Sequence, residues 1–277
     1  MSQPQASVSE NLAGYSLMVL PPFESASAPS FCESVPRLDE YEKLLSSIQQ
    51  LRGKVYVAEG ALEPSMLDFN GRHIDPFDRR SWHVLMRTPD GQVGGALRVT
   101  IHRAGCGVSD LAASSCPLFV DPEWKWRSNR ILLTFLRRAC DAGLHVAETG
   151  GWALEEGLRG GRKGALLALS GWAITRLAGG AKGLGIVTTR CGASRLTKYL
   201  GGSELRDELG CVPPYFDWRY GCQMEVLEFD SHRVNPIFEA LVKALCEYFS
   251  GMFVGQPAET PLFVFQSNEQ NTAPYIS

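Results

Sequence analysis

Apolar and polar residues follow one another in patterns that predict both helices and strands. Over residues 38–55 the apolar positions recur every three or four residues, as in an amphipathic helix. Residues 83–102 predict two strands joined by a turn at residues 89–91, and residues 127–144 predict a helix. Residues 103–123 show neither period and are expected to form a loop or an insertion.

The second half of the chain alternates between strand and helix patterns. In chain order these predicted elements lie at residues 145–154, 164–178, 184–189, 192–202, 217–229 and 235–249. The order of elements indicates one α/β domain built around a mixed sheet rather than an all-parallel one. We expect that domain over residues 35–252, with a disordered arm over residues 1–34 and a loosely structured tail over residues 253–277.

Composition argues against several classes of function. The 277 residues are 44% hydrophobic and 21% charged, which is ordinary for a soluble globular protein. A net charge of -3 argues against a protein that wraps nucleic acid, and no apolar run reaches the roughly 18–20 residues of a membrane span. No secretory signal pattern is present, so we expect a cytoplasmic location. The eight cysteines include no C-x-x-C pair and are expected to be reduced thiols, with no metal site.

The stretch from residue 148 to residue 164 carries the strongest functional signal. Gly150 and Gly151 interrupt a strand that is otherwise suited to burial. A glycine inside a strand often marks a bulge or the close approach of a ligand to the backbone, and a bulge leaves amide groups free to bind something else. The glycine pair therefore predicts a ligand site on this strand.

An anion site is predicted directly after that strand. Cations and glycines crowd the turn before the buried helix, namely Arg159, Gly160, Gly161, Arg162, Lys163 and Gly164. Unpaired N–H groups at the start of a helix, together with three cations, favour a phosphate group.

The order of bulged strand, Arg/Gly turn, helix and diverging strand resembles the GNAT acyltransferase superfamily. The turn of that superfamily is Q/R-x-x-G-x-G/A. Arg159 and Gly164 stand in register with it, whereas Arg162 replaces the middle glycine. The resemblance implies a mixed, mainly antiparallel sheet, splayed in the middle and flanked by helices. It also implies that a pantetheine arm lies in the splay against Trp152 and Leu154, with its phosphate on the turn.

Two further patterns resemble two groups of acyltransferases. Arg52, Asp75, Asp78 and Arg98 match the Arg…Asp-x-x-Asp…Arg arrangement of the acyl-homoserine lactone synthases. Residues 148–236 are similar to the N-acyl amino acid synthases. Taken together, the resemblance spans most of the predicted domain.

The resemblance implies transfer of a long fatty acyl group from the thioester of an acyl carrier protein, or of coenzyme A, to the amine of an amino acid or another small amine. Acyl-phosphopantetheine is then a co-substrate, and no permanently bound cofactor is expected. Amide groups near Gly151 and Trp152 are expected to stabilise the oxyanion, and Glu148 to act as the general base. Tyr215 is the candidate for protonating the leaving thiolate, with Tyr199 in competition.

The residues expected to shape the acceptor site are Arg52, Tyr56, Asp75, Asp78 and Arg98. Each assignment has a structural alternative: turn and cap chemistry for the two aspartates, an exposed strand carboxylate for the glutamate, and a solvated turn for the cations.

Three functions remain open after the sequence is considered. The leading one is an N-acyl amino acid synthase. An acyl-homoserine lactone synthase that uses S-adenosylmethionine is the second, although those enzymes carry an arginine where this chain has Gly151 and Trp152. The third is a non-catalytic regulatory module that binds acyl-pantetheine. A nucleophilic Cys191, which would imply ping-pong kinetics, is a further alternative within the enzyme class.

Overall fold

The structure is a computed structural model that describes residues 6–7, 14–23, 37–159, 161–250 and 272–273. The strands, in chain order, are β1 (Ala6–Ser7), β2 (Ser16–Leu20), β3 (Trp82–Arg87), β4 (Val93–His102), β5 (His145–Leu154), β6 (Ala181–Thr188), β7 (Ser203–Glu204), β8 (Arg206–Asp207), β9 (Gly210–Cys211), β10 (Tyr215–Asp217), β11 (Cys222–Asp230) and β12 (Thr272–Ala273). The α-helices are α1 (Leu38–Ala58), α2 (Pro117–Val120), α3 (Lys125–Asp141), α4 (Arg162–Leu177), α5 (Ala193–Leu200) and α6 (Glu239–Ser250).

Eight of these strands form one sheet. Their order is β10-β11-β6-β5-β4-β3-β2, with β7 also paired to β11. Every neighbouring pair is antiparallel except β5 and β6, which are parallel. Two-residue ladders also join β8 to β9 and β1 to β12. The sheet is therefore mixed and mainly antiparallel, as predicted.

One face of the sheet packs against α4 and α6. Successive side chains of a strand point to opposite faces, so alternate residues such as Leu97, Val99 and Ala147 meet α4 in a single apolar cluster. Because α6 packs against α4 in the same cluster, α4 is sandwiched, and every residue from 164 to 175 is buried. This double burial explains why α4 is apolar on nearly every side.

The opposite face carries two apolar clusters with polar side chains between them. One cluster joins α1 to β2, β3 and β4, and the other joins α2 and α3 to β5, β6 and β11. The buried polar residues between the clusters include His83, Arg98, Thr100 and Glu148. In the strand register His83 lies beside Arg98, and Arg98 lies beside Gly150. Buried polar groups are costly unless they are paired, so this row marks a candidate site.

Most of the predicted elements are confirmed, but two predictions are wrong. The arm predicted to be disordered over residues 1–34 contains β2, whose residues from Leu17 to Leu20 are at most 2% exposed. The single strand predicted over residues 217–229 starts only at Cys222, because residues 218–221 form the turn of a hairpin between β10 and β11. The rest of the predicted arm and tail lies outside the described residues, apart from residues 14–15, 21–23 and the β1–β12 ladder.

The segment predicted as a loop over residues 103–123 consists of short turns of helix. Residues 108–110 and 112–115 form 3-10 turns, and α2 follows them. Within the described ranges, no helix combines the length and the apolar character that crossing a bilayer requires.

Candidate active site

Arg52 and Asp78 form a buried ion pair beneath α1. The Arg52 Nη1 atom lies 2.9 Å from Oδ1 of Asp78, and Nη2 lies 2.6 Å from Oδ2. Nη2 also donates to the His73 carbonyl, and the Gln49 amide donates to Asp78 Oδ2 at 2.9 Å. This bidentate contact fixes the orientation of the Arg52 guanidinium and neutralises its charge.

Asp75 and Arg98 extend this ion pair toward solvent. Arg98 Nη1 forms a short ion pair with Asp75 Oδ1 and lies 3.5 Å from Asp78 Oδ1. The Asp75 side chain is 24% exposed, whereas that of Arg98 is 8% exposed. The aspartates predicted from the D-x-x-D spacing therefore have different positions, with Asp78 at the base of the cluster and Asp75 at its edge.

Arg52 and Asp78 are both charged at neutral pH. Burial by itself would raise the pKa of Asp78, but hydrogen bonds from Arg52 and its charge hold that pKa well below the usual range. Burial lowers the pKa of His73 to about 4, and the charge of Arg52 adds to the effect. Burial likewise lowers the pKa of His83 to about 4, and its Nε2 donates to the Asp78 carbonyl at 2.8 Å. Both histidines are therefore neutral at pH 7.

The predicted bulge is present, but it lies one residue later than the glycine pair: Gly150 still pairs with Arg98, and Gly151 and Trp152 together face Leu97. The β4–β5 register shifts between Ala96 and Arg98, so two residues of β5 face one residue of β4. Gly151 has φ +59°, and a Cβ atom there would lie 2.9 Å from Arg52 Nη1. A side chain at position 151 is therefore disfavoured both by the left-handed backbone and by the Arg52 guanidinium.

The two parallel strands diverge beside the bulge. Pairing between β5 and β6 ends at Thr149 and Gly185. β5 nevertheless continues against β4 to Leu154, and β6 continues against β11 to Thr188. Backbone groups of β5 that point toward β6 lose their strand partners beyond Thr149. The splay predicted from sequence is thus present, and it opens next to Arg98 and the bulge.

Trp152 and Leu154 lie along the splay. Both side chains are partly buried and pack against the cluster that contains α4. A Cβ atom at Gly164 would lie 3.3 Å from Leu154 Cδ1 and 3.9 Å from Trp152. The indole Nε1 of Trp152 is buried and makes no hydrogen bond within the described part of the chain. Gly164 thus leaves room for both side chains at the start of α4.

The turn between β5 and α4 holds its cations in defined contacts. Arg159 Nε donates to the Leu154 carbonyl at 3.0 Å, and its Nη1 lies 2.9 Å from Glu59 Oε1. Lys163 Nζ lies 4.2 Å from the centre of the Tyr15 ring. Gly161 precedes α4, Arg162 is its first residue, and no side chain of the described residues caps it at Gly161. Gly160, predicted as part of this turn, lies outside the described residues.

Glu148 accepts hydrogen bonds from backbone amides of the segment that follows β4. Its Oε2 accepts from Ala112 N and lies 2.8 Å from His102 Nε2, while its Oε1 accepts from Ala113 N at 2.8 Å. A carboxylate offers about four acceptor positions, so these contacts fill three of them. Glu148 therefore anchors residues 112–113 to the sheet, and its predicted role as general base stays a prediction.

Two tyrosines form a wall next to the ion pairs. Tyr56 and Tyr220 make an edge-to-face contact with ring centres 6.3 Å apart, and Tyr56 also packs against the His73 ring. Burial raises the pKa of both hydroxyls. Tyr220 thus adjoins Tyr56, one of the predicted acceptor residues.

Tyr215 lies away from this wall. It is buried in β10 and its hydroxyl adjoins the Cys116 thiol; burial and this neighbour raise its pKa. Tyr199 is 51% exposed on α5 and packs edge-to-face on Phe238. The contacts of Tyr215 and Tyr199 are with Cys116 and Phe238, not with residues of the splay. The predicted proton-donor role of Tyr215 stays a prediction. Cys191 is exposed, has φ +58° and lies beside Glu59.

Several residues of the site escape sequence reasoning. Gln49 could have been found, because it lies three residues before Arg52 and seven before Tyr56 on one helix face. Tyr220, His73 and Glu59 lie in or next to irregular segments, where no period indicates which way a side chain points.

Comparison with known proteins identifies the fold. No protein-family model matches the chain, and no curated protein matches its sequence significantly. Among solved structures, BjaI, a CoA-dependent acyl-homoserine lactone synthase with SAM and isopentyl-CoA, is similar with a TM-score of 0.52 and 14% identity. That match covers 87% of this chain and 92% of the BjaI chain.

Two other solved structures are similar at lower scores. The acyl-homoserine lactone synthase LasI has a TM-score of 0.49 and 17% identity, over 87% of this chain and 98% of its own. FeeM, an N-acyl amino acid synthase from uncultured soil microbes, has a TM-score of 0.44 and 12% identity, over 72% of this chain and 88% of its own. The sheet order, the splay and the similarity to BjaI together show that this chain has the GNAT-like fold predicted from its sequence.

Proposed function

We propose that the protein is an N-acyltransferase that moves a long-chain acyl group from a phosphopantetheine thioester to the amine of an amino acid. The observation that carries the proposal is the position of the bulge at Gly151. It lies between the splay, which suits an extended pantetheine arm, and the buried cluster of Arg52, Asp78, Asp75 and Arg98. Because fold alone does not determine function, the proposal rests on this local geometry.

The donor side consists of the splay and the turn that follows β5. Backbone groups of residues 150–153 without a β6 partner can bind the amides of a pantetheine arm, whereas the Leu154 carbonyl already accepts from Arg159. The start of α4 offers N–H groups to a phosphate, with Arg159 three residues earlier. The donor is the thioester of an acyl carrier protein or of coenzyme A. BjaI, which has this fold, holds isopentyl-CoA.

The acceptor side consists of the charged cluster and the tyrosine wall. Asp75 is the carboxylate at the exposed edge of the cluster and suits an ammonium or amine group. The Arg98 guanidinium, whose Nη2 would lie 3.2 Å from a Cβ at Gly150, faces the bulge and suits the carboxylate of an amino acid. Tyr56 and Tyr220 close this space with rings that tolerate an amino-acid side chain.

Deprotonation of the acceptor amine requires only a weak general base. The α-amino group has a pKa of roughly 8, so about a tenth of it is neutral at pH 7, and deprotonation costs on the order of 1.4 kcal/mol. The neutral amine attacks the thioester carbonyl, and unpaired amides at the bulge stabilise the oxyanion. The C–S bond then breaks and the thiolate leaves, while the amine proton passes to a base. Glu148, with its remaining acceptor position on Oε1, is the candidate base through a bridging water.

The proposal is tested by direct assay. The purified protein is incubated with long-chain acyl-CoA or acyl carrier protein and a mixture of amino acids, and the products are identified by mass spectrometry. An N-acyl amino acid supports the proposal. Arg98→Met is expected to abolish the product, whereas Arg233→Met, which removes an 85% exposed cation beyond the end of β11 that lies opposite the splay, is expected to retain it. Circular dichroism of both variants establishes that they fold.

A second candidate is acyl-homoserine lactone synthesis. The assembled Arg52–Asp78–Asp75–Arg98 cluster and the similarity to BjaI favour it. Against it, position 151 holds no arginine, and the Arg52 guanidinium fills the space next to it. The same assay with S-adenosylmethionine distinguishes the two, since a lactone product would reverse the assignment. If no acceptor gives a product but acyl-CoA binds, a non-catalytic acyl-pantetheine module becomes the better description.

A further inference from the structure

Glu59, at the end of α1, holds two arginines from different parts of the sheet. Its carboxylate pairs with Arg159 Nη1 at 2.9 Å, and its carbonyl accepts from Arg190 Nη1 at 2.6 Å. Arg159 follows β5 and Arg190 follows β6. The two arginines therefore come from opposite sides of the splay, and Glu59 joins them across its open end.

The electrostatics of α1 explain the convergence of these cations. The C-terminal end of a helix carries partial negative charge, and a carboxylate there is unfavourable without a nearby cation. The last turn of α1 contains no basic residue. Arg159 and Arg190, which follow β5 and β6, supply positive charge to the C-terminal end of α1.

The two arginines differ in how firmly they are held. Arg190 donates to two carbonyls, that of Glu59 and that of Gly221 at 3.0 Å. Arg190 therefore joins the end of α1 to the turn that contains Tyr220. Arg159 donates from Nε to one carbonyl, that of Leu154 at 3.0 Å, but its Nη1 contact is an ion pair whose side chains are 32% and 18% exposed. Partly exposed pairs of this kind are weak and exchangeable.

Arg159 also precedes the start of α4, where the proposed function places the donor's phosphate. In the described structure its charge is already neutralised by Glu59. We propose that Glu59 competes with the donor's phosphate for Arg159 and thereby sets the affinity of the site for its phosphopantetheine donor. The inference rests on the proposed function, because it assumes that the donor phosphate binds at this turn.

The competition predicts a gain of affinity when the Glu59 charge is removed. An exposed ion pair contributes up to about 1 kcal/mol, which corresponds to roughly five-fold in a dissociation constant. Glu59→Gln is therefore expected to bind coenzyme A up to about five-fold more tightly than the wild type. The gain shrinks as salt screens the pair, and pantetheine, which has no phosphate, shows none.

Isothermal titration calorimetry with coenzyme A and with pantetheine tests the inference. Glu155→Gln is the matched control, because Glu155 lies four residues before Arg159 but pairs with Lys54 at 2.8 Å. The double variant Glu59→Gln/Arg159→Gln should bind coenzyme A no more tightly than Arg159→Gln alone, since the effect of Glu59→Gln acts through its contact with Arg159. An equal gain of coenzyme A affinity in Glu155→Gln would show a general effect of charge. An equal gain of pantetheine affinity in Glu59→Gln would show an effect that does not involve the phosphate. Either result would overturn the competition.

The outcomes also separate this inference from the proposed function. Equal coenzyme A affinity in the wild type and Glu59→Gln overturns the competition and leaves the donor site standing. Absence of coenzyme A binding in both proteins overturns the donor site together with the competition. Binding by Glu59→Gln alone would be the strongest support, because the competing carboxylate would then account for the whole difference.

Discussion

Arg52 and Asp78 face each other through two parallel hydrogen bonds, and the side chain of each is at most 2% exposed. The pair joins α1 to the segment before β3, and Arg98 and Asp75 are placed relative to it. A buried pair of this kind is sensitive to the loss of one partner, because the remaining charge stays out of water and loses its closest counter-ion; Arg98, 3.5 Å from Asp78, replaces Arg52 only in part.

Arg52→Met is therefore expected to lower the free energy of unfolding by about 3–5 kcal/mol. Lys54→Met on the same helix is the matched control. Lys54 pairs with Glu155, but its side chain is 72% exposed, so its loss should cost less than about 1 kcal/mol. Guanidinium denaturation followed by circular dichroism measures both. Equal effects of the two variants would contradict the anchoring role of the buried pair.

Glu148→Gln is expected to loosen the segment at residues 112–113. The amide nitrogen of glutamine cannot accept a hydrogen bond, so one backbone N–H or the His102 contact loses its partner, at a cost of about 1–3 kcal/mol. Hydrogen exchange at Ala112 and Ala113 should accelerate, in an assay that does not depend on catalysis. Unchanged exchange together with lost acyl transfer would instead assign Glu148 to the chemical step alone.

Gly151→Ala separates backbone strain from crowding by Arg52. Gly143 also has positive φ, at +65°, but nothing lies within 4 Å of its Cβ position. Gly143→Ala should therefore cost roughly 1–2 kcal/mol from the left-handed backbone alone. Gly151→Ala should cost more, because the methyl group also displaces Arg52, and it should reduce acyl transfer. Thermal unfolding of both variants provides the comparison, and equal losses would remove Arg52 from the explanation.

His83 is expected to make stability depend on pH. Burial lowers its pKa in the folded protein to about 4, whereas the unfolded chain takes up the proton near pH 6.5. The unfolded state thus binds more protons between pH 6.5 and pH 4. Stability is fully present above pH 6.5 and falls by on the order of 3 kcal/mol toward pH 4.

His83→Gln removes this contribution, and glutamine can still donate to the Asp78 carbonyl. The difference in unfolding free energy between wild type and variant should narrow as the pH falls from 7 to 4, as measured by urea denaturation at each pH. The exposed His232 supplies the control variant His232→Gln. A difference that stays constant with pH would show that His83 contributes no linked proton.

Features that depend on local pattern could be predicted from the sequence. The stripe of α1, the turn before β4, a bulge next to the glycine pair and the buried α4 each follow from the spacing of a few residues. Features that depend on distant segments could not be predicted. The Glu148 contact with residues 112–113, and the meeting of Glu59 with Arg159 and Arg190, join segments whose relative placement only the folded chain fixes.

The errors have a similar physical origin. β2 is only five residues long and stands beside two prolines in a segment rich in serine and alanine, so its apolar run gave too short a signal. The predicted strand over residues 217–229 hid a turn, because tryptophan, arginine and tyrosine at positions 218–220 suit a strand by composition. In the structure Gly221, with φ +55°, reverses the chain.

The short strand β2 has a practical consequence for anyone who shortens the chain. Its five residues pair with β3 from Ser16 opposite Arg87 to Leu20 opposite His83. A version starting at residue 35 would leave the amide and carbonyl groups of β3 bare, together with the apolar surface that Leu17 and Val19 cover. Bare strands of this kind recruit further strands from other copies. Because β2 is already the last strand on this side of the described sheet, its removal moves the open edge to β3 and adds exposed apolar surface. A version trimmed past β2 is therefore expected to be less stable and more prone to self-association.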